Sequence, residues 1–332
     1  MAVKGDFPSP AYAGSPAGRQ KAAWRLSRNG LGRGQWVAPR EPQPFLFFVL
    51  NTPAILLLLV FVLYPIIYSF LLSLHQYNLR QPARFRFIGL DNYISILGSE
   101  QFWRAAQTTA LFSVGSITLT IVLGTLLALL LNEVFPGRAL LRAIILIPWA
   151  VPPVVNGLIW QWLLDGRYGL INAVLVGAGV LDEYRSWLTD VNTAMPALIV
   201  AQAWNHIPFV SLVVLAALQT VPDELYEAAR MDGANVLQRF KAITLPWLSH
   251  SLLLVLITQT MVALRTFDII YVLTGGGPGD STTVLAWLTY VTTFNFADFG
   301  RGNAYAYLIA LTTLALSIIY IRLLWKRGEL AR

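Results

Sequence analysis

Six apolar runs, each long enough to cross a bilayer as a helix, constrain this chain more than any other feature in it. They fall at residues 45–74, 110–131, 143–164, 197–218, 252–273 and 305–323. About 20 helical residues, rising 1.5 Å each, cover the roughly 30 Å of hydrocarbon in a bilayer. Inside lipid a backbone amide has no water to bond, so such runs must be helices or strands of a closed barrel. The polar–apolar alternation of barrel strands is missing. The expected fold is therefore all-α: a polytopic membrane protein with six transmembrane helices. Composition agrees, because 56% of residues are hydrophobic and 12% charged, against about 25% charged in soluble domains. A soluble fold could not hide so much apolar surface.

The net charge of +7 does not point to nucleic acid. Lys and Arg sit at the edges of the apolar runs and not on one basic face. Placing the N-terminus in the cytoplasm leaves 16 Lys and Arg on the cytoplasmic side and 7 opposite, with Arg265 inside a span. The excess marks both termini as cytoplasmic. Residues 1–44 are rich in Gly, Pro and Arg without apolar periodicity, and are expected to be a disordered cytoplasmic tail. They do not resemble a cleavable signal peptide, since the first apolar run starts late and no small-residue cleavage site follows it. A transmembrane domain over 45–328 and a short cytoplasmic end at 329–332 complete the expected organisation. The absence of cysteine excludes disulfides, thiolate metal sites and cysteine nucleophiles. His75, His206 and His250 lack metal-ligand spacing.

The longest patterned polar stretch between two late runs is 222–246, on the cytoplasmic side by this topology. It predicts two short helices meeting at a glycine. Pro222 suits a first turn, and Asp223 and Glu224 follow at the positive end of the helix dipole. Gly233 is suited to ending the first helix with φ > 0, and Asn235 to capping the second. Val236, Phe240 and Ile243 are spaced to form one apolar face, and Pro246 is expected to stop the helix before the next span. An amphipathic helix lying on lipid headgroups is the alternative. Asp223, Glu224, Glu227 and Asp232 disfavour an anionic membrane surface and favour a protein partner.

The run Glu227, Ala228, Ala229, Asp232, Gly233, Ala234, continued by Phe240, Ile243, Leu245 and Pro246, closely resembles the EAA loop of permeases of binding-protein-dependent ATP-binding cassette importers. Phe87 to Tyr93, Trp204, Pro208, Phe209, Phe267, Asp268 and Tyr271 to Gly279 are similar to the carbohydrate subfamily, on the maltose and glycerol-phosphate pattern. The likeness runs from about Phe45 to the end. It departs at His250, where a proline is usual, and at Thr108, where an asparagine is common. The resemblance implies a non-catalytic permease subunit of a prokaryotic inner (plasma) membrane. Such a subunit pairs with a second, related permease as a heterodimer and binds two ATPase subunits. An extracytoplasmic solute-binding protein delivers a di- or oligosaccharide, or a glycerol-phosphate-type solute. ATP and Mg are used by the partner ATPase, with no cofactor in this chain. The coupling residues implied are Glu227, Ala228, Ala229, Asp232, Gly233, Ala234, Phe240, Leu245 and Pro246.

Polar groups within spans are costly and face a pore or a partner. Asn156, Trp160 and Gln161 follow a proline-rich kink at 148–153, and Gln202, Trp204, Asn205 and His206 precede Pro208. Asn, Gln and aromatic groups grip an uncharged sugar by hydrogen bonds and ring stacking, so these are candidates for a substrate pathway. Interhelical hydrogen bonding is the competing role. Arg265 and Asp268, three apart in the fifth run, either neutralise each other or line the same path. Gly275–Gly279 is not a phosphate loop, because no Lys-Ser/Thr follows, and is expected to be a tight turn leaving the fifth helix. An ion-coupled secondary transporter would need coupling carboxylates and paired broken helices. An intramembrane enzyme would need a nucleophile or paired acids inside the spans. Neither pattern is evident.

Overall fold

The computed structural model describes residues 44–329. The expected tail, apart from Pro44, and residues 330–332 lie outside the described residues. The chain divides into two units after Val62. The described part of the first is α1, Pro44–Leu58, which runs into a wide π turn at Leu59–Leu63. By length and hydropathy Asn51–Ser73 qualifies as a membrane span.

The second unit opens with α2, Tyr64–Ser73. Strands β1, His75–Gln76, and β2, Arg86–Phe87, then pair antiparallel, with His75 opposite Phe87. The short α3, Asp91–Leu97, leads to α4, Glu100–Asn132, whose N-cap Ser99 accepts a hydrogen bond from the amide of Phe102. Next come α5, Arg138–Ile145, α6, Ile147–Ala150, α7, Pro153–Leu163, and α8, Leu170–Gly177. The long α9, Val191–Leu218, starts at Asp190, whose carboxylate accepts from the Asn192 amide. Beyond it lie α10, Asp223–Met231, and α11, Val236–Arg239. A π turn at Phe240–Thr244 joins α11 to α12, Leu245–Ala263. Two short helices, α13, Asp268–Leu273, and α14, Leu285–Tyr290, precede a π turn at Val291–Asn295 and the final α15, Phe299–Glu329.

Helices α4 and α9 form the spine. Gly124 allows the close approach, since a Cβ there would sit 2.7 Å from Val210 Cγ1. Around this seam Leu131, Val210, Val214, Leu248 and Val255 are buried together. Lipid tails are as apolar as leucine, so what holds such helices is close packing more than withdrawal from water.

Among the described residues, five helices are long and apolar enough to cross a membrane, or six if a bent pair is counted as one span. The bent pair is the third expected run. Instead of one helix over 143–164, the segments Arg138–Ala150 and Pro153–Leu163 meet at 99°. Pro152 and Pro153 lack the amides needed to carry the ladder across, so the proline-rich kink is a full break.

The fifth span is shifted from its expected place. One helix runs over Val236–Ala263, 28 residues, and stops before Arg265. Pro246 therefore does not end a separate coupling helix, and α11 is the first turn of the span itself. The π turn just upstream moves backbone bonding from i+4 to i+5. That displaces the carbonyl which the proline ring would otherwise strike, and the helix continues. The glycine turn at 275–279 consequently leaves α13 and not the long fifth helix. The stretch 274–303 is also more than a loop, because Val284, Leu285 and Leu288 of it are buried.

Candidate functional site

Two sets of residues stand at opposite ends of the Val236–Ala263 helix. The first is the predicted coupling segment. Its acidic first turn and Arg230 in the last turn suit the dipole of α10. Gly233 has φ of +77° and turns the chain out of that helix, where an L side chain would be strained. Asn235 then builds a full capping box: its Oδ1 accepts from the Gln238 amide at 2.9 Å, and Gln238 Oε1 accepts from the Asn235 amide at 2.8 Å. Tyr226 and Thr244 hydroxyls meet at 2.9 Å, and Trp247 Nε1 donates to Thr220 Oγ1 at 3.0 Å, so the segment is anchored to the span.

No residue of α10 or α11 is buried. Met231 is 89% and Val236 74% exposed, with Leu237 beside them. Val236 thus does not share a packed face with Phe240 and Ile243, which are half-buried. Glu227, Ala228, Asp232, Gly233, Leu245 and Pro246 are exposed, while Ala229 and Ala234 are half-buried. The result is a rigidly capped knob with apolar tips and an acidic flank.

The second set surrounds the far end of the helix. Thr266 Oγ1 donates to the Val262 carbonyl at 2.9 Å where α12 ends, and Gln202 Nε2 donates to that hydroxyl at 3.4 Å. Arg265 is exposed and turns back, its Nε donating to the Met261 carbonyl at 2.9 Å. Arg265 and Asp268 do not neutralise each other. The helix has ended at Ala263, before both, and the ion pairs among the described residues are Arg104 with Glu100 and Arg185 with Asp190. Asp268 starts α13, where the helix dipole favours its charge.

The other pathway candidates divide. Asn156 is buried and donates to the Ala201 carbonyl at 3.2 Å. Asn205 is buried and donates to the carbonyls of Pro148 and Val151. Both amides bind α9 to the broken third span, the interhelical role that competed with pore lining. Trp160 and Trp204 meet edge to face, with centroids 6.1 Å apart and planes at 77°. Gln161 is exposed and is not brought to the others by any hydrogen bond among the described residues. Sequence reasoning missed Thr266, which caps the break, and Thr109, whose Oγ1 accepts from the Leu285 amide at 2.8 Å and fixes α14. A threonine among apolar residues carries little local signal. The close group of Phe267, Tyr271, Trp287 and Tyr290 was also missed as a group. Its spacing by four and by three residues was the available clue.

A family model described as "Binding-protein-dependent transport system inner membrane component" matches residues 120–324. The chain is 41% identical over 275 residues to the trehalose/maltose transport system permease protein MalF of Thermococcus litoralis, covering 83% of this chain and 92% of that one. It is 37% identical over 276 residues to the sulfoquinovosyl glycerol transport system permease protein SmoG of Agrobacterium fabrum, covering 83% and 89%. Its fold matches a chain of a bacterial ABC transporter involved in the import of the acidic polysaccharide alginate. The TM-score is 0.73 at 26% identity, over 84% of this chain and 94% of that one. A bundle of membrane-length helices with an exposed capped knob is the framework of a transport subunit. The chain belongs to the family of binding-protein-dependent transport system inner membrane components, the permease subunits of such importers.

Proposed function

We propose that this permease imports a carbohydrate delivered by an extracytoplasmic binding protein, as one half of a heterodimer with a second, related permease. Two ATPase subunits in the cytoplasm bind and hydrolyse ATP with Mg and drive it. Both termini and the segment 222–246 face the cytoplasm. The exposed knob of Glu227 to Ala234, with Phe240, Leu245 and Pro246 at its root, docks into the ATPase. The observation that carries this reading is the single helix Val236–Ala263. Its 28 residues span about 40 Å. It begins in the exposed knob and ends at the polar break holding Thr266, Gln202 and Arg265. Movement imposed on one end of a rigid rod reaches the other.

The carbohydrate part draws on the trehalose, maltose, sulfoquinovosyl glycerol and alginate systems that the chain resembles. In this reading Gln202, Trp204, Trp160, Gln161, Arg265 and Asp268 face the substrate, and Asn156 and Asn205 hold the walls. The test is uptake of labelled trehalose and maltose into proteoliposomes bearing the complete complex, with proton and sodium gradients collapsed. Accumulation should require ATP and binding protein. Uptake that follows an ion gradient without ATP would overturn the proposal.

A further inference from the structure

We propose that the segment between the long fifth helix and α15 carries an aromatic track along which a sugar stacks, beyond the polar break at the helix end. The inference rests on the carbohydrate reading and names a site that reading does not include. Phe267, Tyr271, Trp287 and Tyr290 are all mutual neighbours, with ring centroids 4.6 to 6.0 Å apart, and Phe294 and Phe299 extend the group. Tyr271 lies 6.0 Å from Trp287, which is 5.9 Å from Phe267 and 5.7 Å from Tyr290. Phe294 follows at 5.1 Å from Tyr290 and Phe299 at 6.1 Å from Phe294. Phe267 and Trp287 are within 18° of parallel, and Trp287 and Tyr290 within 20°. Near-parallel rings at such separations are slipped past one another and not stacked face on face.

Two of the rings are displayed and the other four are half-buried. Tyr271 is 51% and Phe294 63% exposed. The hydroxyls of Tyr271 and Tyr290 and the indole N–H of Trp287 make no hydrogen bond to any described residue. A ring group with two exposed members and unused polar tips matches a pyranose, whose apolar C–H face stacks while its hydroxyl edge takes hydrogen bonds. Arg265, with both terminal nitrogens unengaged among the described residues, stands two residues before Phe267 and adds donors at the inner end.

The array has a built floor. Gly276 has φ of +87°, and a Cβ there would fall 2.3 Å from Trp287 Nε1. Thr283 Oγ1 donates to the Gly276 carbonyl at 3.0 Å and holds that turn in place. The glycine run thus gives Trp287 its seat. A membrane-interface belt, the ordinary setting for Trp and Tyr, scatters single rings around a bundle. Here they gather in one group between the end of α12 and the first residue of α15.

The test uses the complete complex in proteoliposomes and photoreactive diazirine derivatives of trehalose and maltose, with adducts located by mass spectrometry. Adducts on residues 267–299, competed by unlabelled sugar, are expected. They should fall by a few-fold to about tenfold in Tyr271→Ala and Phe294→Ala, the range for one lost aromatic stacking contact, survive in Tyr271→Phe and fall by a similar factor in Tyr271→Leu. These positions are exposed, so the variants should assemble normally. Undiminished labelling in Tyr271→Leu would reduce the track to apolar surface and overturn it. Loss of complex yield in place of labelling would mean the rings meet a partner subunit. ATP-dependent uptake by the unaltered complex with no adduct on this segment overturns the track alone. No ATP-dependent uptake of either sugar removes the carbohydrate reading and the track with it.

Discussion

The side-chain amide of Asn205 lies 2.6 Å from the carbonyl oxygen of Pro148 and 3.2 Å from that of Val151. One residue of α9 therefore satisfies two carbonyls at the 99° break of the third span. Backbone groups freed inside a membrane protein need such partners, because lipid offers none. Asn205→Leu leaves both carbonyls without that donor and is expected to cost about 1–3 kcal/mol. The measurement is the thermal midpoint of the purified protein together with uptake. A midpoint equal to wild type would mean that water replaces the amide and that the break holds itself.

Helix and break were legible in the sequence to different depths. The six runs could be read because twenty apolar residues leave few other folds, and the prolines at 148, 152 and 153 announced the interruption. The coupling segment was legible through Gly233 and Asn235, whose turn and cap are both present. The start of the fifth helix was misread because a proline rule was applied alone. A π turn is a property of several residues of backbone, and nothing in Phe240 to Thr244 advertises it. The ion pair expected between Arg265 and Asp268 failed for a related reason. Neighbours at three residues meet only if the helix continues through them, and it ends at Ala263.

Gly233 offers a test of the coupling knob that steric crowding cannot confuse. A Cβ there meets nothing within 4 Å, so substitution acts through backbone strain alone at φ of +77°. Gly233→Ala should cost about 1–2 kcal/mol locally and tilt α10 against the long helix. Asn tolerates this conformation better, so Gly233→Asn should be milder. Capture of the ATPase subunit and ATP-dependent uptake are expected to rank wild type, Asn, Ala, while membrane insertion stays equal. Equal capture by all three would separate the knob from ATPase docking.

Asp190 predicts a pH dependence at the start of α9. The Arg185 guanidinium beside it, then the Asn192 amide, hold its carboxyl below the ordinary 3.8. A depressed folded-state pKa stabilises the fold above the unfolded value, and that stability is lost as pH falls through the folded one. Asp190→Asn keeps an oxygen for the Asn192 amide but removes the charge facing Arg185. The variant should melt slightly below wild type at neutral pH, since the pair is solvent-screened. The difference should close as the pH drops below the ordinary carboxylate value. A gap that persists in acid would assign the effect to the cap and not to the charge.

The seating of α7 on α13 can be tested by compensation. A Cβ on Gly157 would lie 2.8 Å from Val272 Cβ and 3.0 Å from its Cγ1, closer than carbon atoms approach. Gly157→Ala must push the two short helices apart, at an expected cost of about 1–3 kcal/mol for overpacking. Since α13 begins at Asp268, just after the polar break, the displacement should also slow uptake. Val272→Ala alone removes two methyl groups from a half-buried site and should cost less. Combined, alanine at 272 no longer carries the Cγ1 that crowds residue 157 but keeps its Cβ, so the double variant should recover only part of the loss and melt modestly above Gly157→Ala. The coupling between them should fall in the 0.5–3 kcal/mol range of side chains in contact. Strict additivity in a double-mutant cycle would show that the helices do not meet at this pair. Recovery of stability without uptake would place the function of α13 in Val272 itself and not in its distance from α7.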